Sequence, residues 1–250
     1  MDVSSIDAVL FDLDGVLTPT AEIHRLAWRL TFDGFLSRRA DAEGSDPVPF
    51  SDADYLAYVD GKPRVDGVRS FLASRDIVLP EGTPDDPPGD TTVRALGNAK
   101  NDAFQRVLRA DGIAPYPGSV ALLDALEEAG TACAVVSSSR NAREVLAAAG
   151  LAPRFAVVVD GSVLAAEGLA GKPAPDMFVT AADRLGTTPA RAAVVEDAIS
   201  GVAAGAAGGF ALVVGVDRGA GGPALRAAGA HTVVGDLAEL LPLVLPPEES

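Results

Sequence analysis

The first clear signal is a short apolar run closed by an acid, "IDAVLFD" at residues 6 to 12. It is too short for a helix and predicts a buried β-strand. From residue 119 onward two kinds of segment alternate. Helical spacing in "SVALLDALEEAG", "NAREVLAAAG", "PDMFVTAADRLG" and "AISGVAAGAAGG" is interleaved with the apolar runs "TACAVVS", "FAVVVDG", "AAVVED" and "FALVVGV". A last helix, "GGPALRAAGA", leads into "HTVVGD". The strand segments are continuously apolar rather than alternating, the pattern of a parallel sheet covered on both faces. Gly130, Gly150 and Gly186 stand where helices would end.

The stretch between the first strand and this array has a different texture. Residues 20 to 38 predict one long helix carrying His24 and Trp28, and "VDGVRSFLAS" and "NDAFQRVLRADG" predict two more. "LPEGTPDDPPGD" at 79 to 90 predicts an irregular loop. The expected fold is therefore α/β. A Rossmann-like parallel sheet, residues 1–17 and 116–250, is covered by helices on both faces and interrupted by an α-helical cap domain, residues 18–115. "RGAGGPAL" at 218 to 225 lacks Gly-x-Gly-x-x-Gly spacing and reads as a loop, not a dinucleotide site.

Composition narrows the partners. With 250 residues, 48% hydrophobic and 22% charged, the chain can bury a full core as one large or two moderate domains. A net charge of -15 and a pI near 4.4 argue against nucleic acid or an anionic membrane. No apolar run is long enough to span a bilayer, and the start shows no basic signal region. Cys133 is the sole cysteine, so no internal disulfide is possible and the cytoplasm is the expected compartment. Lysine is scarce: only Lys62, Lys100 and Lys172 occur, the first beside Arg64 in "VDGKPRVDGVRSF". A small anionic substrate remains open if such groups converge.

Four strand ends carry chemistry. Asp12 and Asp14 close the first strand in "FDLDGVLTPT", at the edge where parallel sheets form sites; alone, such a pair is more often an acidic turn capping the next helix. Ser137 in "VVSSSRN" precedes a helix start, which suits either an oxyanion or a plain N-cap. Lys172 lies in the Gly-Pro turn "GKPAPDMF" before a helix; its plain reading is an exposed turn lysine, which the scarcity of lysine weakens. Glu196 and Asp197 end an apolar strand in "VVEDAISG", where paired acids are costly without a cation. Asp197 as an N-cap would leave Glu196 unexplained.

In this order the four loops resemble the haloacid dehalogenase-like (HAD) phosphotransferase superfamily. The resemblance implies that Asp12 is a nucleophile forming an aspartyl-phosphate and Asp14 the general acid/base. It implies Mg²⁺ held by Asp12, the Asp14 carbonyl and Asp197, with Glu196 a direct or outer ligand. Ser137 and Lys172 would hold the phosphoryl oxygens.

The inserted segment resembles that of the β-phosphoglucomutase family. "TPTAEIHRLAW" aligns Thr20, His24 and Trp28 with its hinge and first cap helix. The turn "GKPR", opening at Gly61, is similar to the loop whose arginine grips a phosphate, here Arg64. "GNAKNDAF" supplies Lys100, and "SSSRN" supplies Ser139, Arg140 and Asn141 to the same distal phosphate. Trp28 and His24 have packing as their plain alternative, Lys100 a solvated helix start, and Arg140 simple exposure. Pro19, Gly67 and Ala198 depart from the family pattern. His231 and Cys133 are expected to be structural. The implied activity interconverts β-glucose 1-phosphate and glucose 6-phosphate through glucose 1,6-bisphosphate. A sugar-phosphate phosphatase is the second expectation, and a non-catalytic sugar-phosphate-binding module a remote third. A monomer with a small sugar-phosphate partner is expected.

Overall fold

The computed structural model describes residues 6–59 and 62–244. The chain divides into two units, one comprising Met1–Thr20 with Ile113–Ser250 and the other Ala21–Gly112.

The first unit is built on a six-stranded sheet in the order β3-β2-β1-β4-β5-β6. The strands are β1 (Ala8–Phe11), β2 (Ala132–Val136), β3 (Val157–Val159), β4 (Ala192–Glu196), β5 (Leu212–Val216) and β6 (Thr232–Val234). Every pairing is parallel. The apolar runs become strands because both faces are covered. Leu10, Ala134, Val194 and Val213 are fully buried and pack with Met177, Phe178, Val202 and Leu225 from the crossover helices. The helices Pro117–Glu128, Ala142–Ala148, Asp176–Arg184, Ile199–Ala207 and Gly222–Ala227 fall where helical spacing predicts them. Gly130, Gly150 and Gly186 each follow a helix at positive φ. One helix, Gly161–Glu167, was not anticipated; Asp160 caps it by accepting from the N–H groups of Ser162 and Val163. His231 is structural as expected, its Nδ1 accepting the Val213 N–H at 2.9 Å. Cys133 is free and half-buried, and burial, then Glu127, pushes its thiol up to about 12, which makes it unreactive.

The second unit is helical. Thr20–Glu43 runs five residues beyond the expected end, while Arg64–Ser74 matches its segment closely. Val93–Asp111 begins earlier than predicted, at the N-cap Thr92. A short π-helical turn at Tyr55–Val59 was not expected. The core is a nest of aromatic rings: Phe32 lies 4.1 Å from Phe71 and 5.1 Å from Phe50, centre to centre, and 5.0 Å from Trp28. Residues 79–90 form no helix or strand. Side chains fasten them instead: Asp86 accepts from Thr83 and Thr92, and Asn98 donates to the Pro84 and Asp86 carbonyls. Among the described residues no helix is long and apolar enough to cross a membrane.

Phe71 is fully buried at the centre of this nest. Replacing it with alanine should cost about 3–5 kcal/mol, read as a lower urea midpoint for loss of helical circular dichroism.

Candidate active site

Strands β1, β2 and β4 end level with one another. Phe11 pairs with Val135 on one side and Val195 on the other, so Asp12, Val136 and Glu196 follow side by side. The direction of winding reverses between β1 and β4, which opens a crevice at their C-terminal ends.

Lys172 enters this crevice from the loop before Asp176–Arg184. Its Nζ donates to Asp12 Oδ1 (2.5 Å), Glu196 Oε1 (2.7 Å) and the Val136 carbonyl (3.0 Å). Each ammonium hydrogen thereby has an acceptor. The exposed-turn alternative fails, because the lysine side chain is 7% exposed. Burial alone would discharge it, but the carboxylates of Asp12 and Glu196 push its pKa up and keep it charged. Burial drives the Asp12 carboxyl well above the usual carboxylate range; Lys172 opposes this, while Glu196, Asp14 and Asp197 reinforce it.

Asp14 is held differently. Thr20 Oγ1 donates to Asp14 Oδ1, and Ser137 Oγ lies 3.5 Å from Oδ2. The two aspartates of the motif thus have separate environments, one on a cation and one on hydroxyls. Ser137 Oγ also accepts the Ser139 N–H, and Ser139 Oγ the Asn141 N–H, both at 3.1 Å. Ser139 and Asn141 are therefore ordered in a turn beside Ser137, whereas Arg140 is exposed. Asn141 stands at the N-cap of Ala142–Ala148 without a side-chain capping bond.

Gly15 and Gly201 make room for acids. Gly15 has φ +82, and a Cβ there would lie 2.0 Å from Asp197 Oδ2. At Gly201 a Cβ would come within 1.7 Å of Glu196 Oε1. Gly161, another residue the sequence did not single out, brings its N–H to the Ser139 carbonyl and would clash with the Ser138 carbonyl if substituted. Its only sequence signal was its place just after the capping acid Asp160.

The N-cap reading of Asp197 does not hold: the cap of Ile199–Ala207 is Ala198, with no side-chain bond. Burial, then the charges of Glu196 and Asp14, push Asp197 up to about 7. Glu196 spends Oε1 on Lys172 and Oε2 on the Ala198 N–H (2.8 Å). Both Glu196 oxygens thus accept a hydrogen bond within the sheet unit. Among the described residues no three acidic, imidazole or thiol side chains form a preformed metal cage. An all-oxygen group with one lysine against four acids nevertheless fits Mg²⁺, which commonly binds one or two carboxylates and keeps its waters.

The second unit gathers the other expected residues. Lys100 is 5% exposed, so the solvated reading fails. Its Nζ lies 2.6 Å from His24 Nδ1, 5.3 Å from the Trp28 ring centre and 5.0 Å from that of Phe104. Trp28 is buried against Phe32 and packs in the aromatic core. Arg64 opens its helix half-buried, its stem seated where Gly97 lacks a side chain. Lys62 is exposed and donates to Ser70 Oγ. Gly67, a departure from the family pattern, leaves room for Val59 and Trp28. Gly61 lies outside the described residues.

A sequence model of the haloacid dehalogenase-like hydrolases matches residues 6–209. The chain belongs to that family. It is 55% identical over 240 residues to a β-phosphoglucomutase of Mycobacterium bovis, covering 94% of this chain and 92% of that protein. It is 35% identical to a β-phosphoglucomutase of Bacillus subtilis, covering 83% of each. Among solved structures, CbbY of Rhodobacter sphaeroides in complex with phosphate is 27% identical with a TM-score of 0.69, covering 94% of this chain and 96% of that one. The matched span contains the paired acids at the end of β1 and the lysine-bound acid at the end of β4.

Two outcomes follow from this geometry. Gly15→Ala should cost about 1–2 kcal/mol in backbone strain and displace Asp197, so phosphate-ester turnover falls far more than thermal stability, as paired melting and rate assays would show. His24, still partly open to solvent, is driven down to about 3 by burial and then by Lys100. A neutral native histidine stabilises fully above the unfolded value near 6.5, and that stabilisation drains as pH falls toward 3. Between pH 6.5 and 5 the native protein should therefore lose about 1–2 kcal/mol more than His24→Gln, measured by urea unfolding at both pH values.

Proposed function

We propose that this protein is a Mg²⁺-dependent β-phosphoglucomutase that moves a phosphoryl group between the C1 and C6 oxygens of glucose. The single observation that carries the reading is the pair of differently held aspartates at the end of β1: Asp12 on the Lys172 ammonium, Asp14 on two hydroxyls. Binding alone would need no such division. The 55% identity to a named β-phosphoglucomutase supports the choice of substrate.

In this reading Asp12 attacks phosphorus through the carboxylate oxygen that Lys172 does not hold. The P–O bond to the sugar breaks as the new P–O bond to Asp12 forms. Asp14, protonated at that moment, gives its proton to the departing sugar oxygen. In the return step an acceptor hydroxyl of the sugar yields its proton to the Asp14 carboxylate and takes the phosphoryl group from Asp12. Thr20 and Ser137 keep Asp14 oriented for both directions. Lys172 offsets phosphoryl charge, and Glu196 keeps that lysine charged. Asp12, Asp197 and the Asp14 carbonyl would hold Mg²⁺, which supplies further neutralisation of the phosphoryl oxygens when bound. A mutase also needs a second anion-binding subsite, because a bisphosphate must bind in two orientations. From the sheet unit we assign Ser139, Arg140 and Asn141 as phosphate donors, and from the helical unit Arg64, Lys100 and His24 as sugar-phosphate contacts.

The family's hydrolase description favours a second reading, sugar-phosphate hydrolysis, in which water replaces the second sugar hydroxyl. One assay separates the two. With β-glucose 1-phosphate, Mg²⁺ and a trace of glucose 1,6-bisphosphate, the product should be glucose 6-phosphate, and an Asp12→Ala blank should be silent. Free phosphate as the main product would favour the phosphatase. Arg64→Ala should reduce isomerisation by about 100-fold, the scale of one lost charged contact, while sparing aryl phosphate hydrolysis; equal losses would remove the second subsite.

A further inference from the structure

Arg218, on the loop after β5, has no part in the roles above. Its Nε donates to the Gly15 carbonyl (2.9 Å) and its Nη1 to the Gly235 carbonyl (3.1 Å). The guanidinium lies 3.9 Å from the centre of the Tyr116 ring. Nη2 is buried and has no hydrogen-bond partner among the described residues.

Each contact falls on a segment that bears on the aspartate pair. Gly15 follows Asp14 and is the residue over which the Asp197 carboxylate sits. Its N–H donates to the Thr18 carbonyl at 2.8 Å, so Arg218 completes the tethering of both main-chain polar groups of this residue. Tyr116 lies on the return segment, where its N–H donates to the Leu17 carbonyl at 3.0 Å. Gly235 follows β6. One side chain therefore fastens the outgoing turn, the return segment and the sheet edge.

The support behind Arg218 is itself rigid. Asp217 accepts the N–H groups of Gly219 and Gly221, each at 3.0 Å, and its own N–H donates to the Val234 carbonyl at 2.8 Å. Two carbonyls at fixed angles and an aromatic face together call for a planar fork, which lysine lacks.

We propose that Arg218 is a positioning residue that fixes the Gly15 peptide, and through it the angle at which Asp12 and Asp14 face Asp197. It touches no reacting atom and acts through the main chain. Only the kinetic arm of its test rests on the phosphomutase reading.

The test compares full-length wild type, Arg218→Ala and Arg218→Lys. Amide exchange at Gly15, Leu17 and Thr18 should quicken about tenfold or more in Arg218→Ala, while β2 amides keep their rates, as local opening requires. On β-glucose 1-phosphate, kcat should drop about 30-fold with KM changed less than about threefold, and added guanidinium should restore part of kcat. Arg218→Lys should show the same pattern more weakly, and it carries the test if the alanine variant does not fold. Exchange that rises equally in the turn and in β2 would make Arg218 a mere brace and overturn the proposal. Unchanged exchange in the turn, or a rise in KM alone, would do the same. A wild type that turns over no sugar phosphate would sink the functional reading while the exchange result still decides this one.

Discussion

The core depends on one buried cation. The Lys172 ammonium joins the ends of β1, β2 and β4 through Asp12, Val136 and Glu196. Each partner justifies the others: the acids keep the lysine charged despite its burial, and the lysine lets acids end strands that are otherwise wholly apolar. Loss of the ammonium would strand two carboxylates in a low-dielectric site, the costly side of any buried ion pair. The surrounding backbone is shaped to the same end. Gly201 gives Glu196 space to reach the lysine, and Gly15 gives Asp197 space beside Asp14.

The second unit also buries a lysine. The Lys100 ammonium lies 2.6 Å from His24 Nδ1 and faces the rings of Trp28 and Phe104, so part of its environment is aromatic. Arg64 draws on different support, the open surface of Gly97, which lets its stem lie flat.

Much of this was legible in the sequence, and the parts that were not have a common cause. The strands could be read because continuous apolar runs of four to seven residues have few other uses in a chain of this composition. The Gly161–Glu167 helix was missed because "GSVLAAE" is two turns long and shows no clear apolar face. The π-turn at Tyr55–Val59 has no sequence signature beyond its aromatics. Asp12, Asp14, Ser137 and Lys172 could be placed because they end predicted strands or begin predicted turns. What Glu196 touches could not, since Lys172 lies 24 residues away and only tertiary packing brings the two together. Arg218 was hidden for the same reason. It stood in a glycine-rich loop whose rejected likeness to a nucleotide motif said nothing about the Gly15 carbonyl, 203 residues distant.

The sequence contains a single tryptophan, and the fold puts it in the helical unit, stacked on Phe32 and 5.3 Å from the Lys100 ammonium. Intrinsic indole fluorescence is therefore a private signal of that unit, silent about the sheet. The protein thus carries a built-in optical reporter, through which melting of the aromatic nest can be followed without any label.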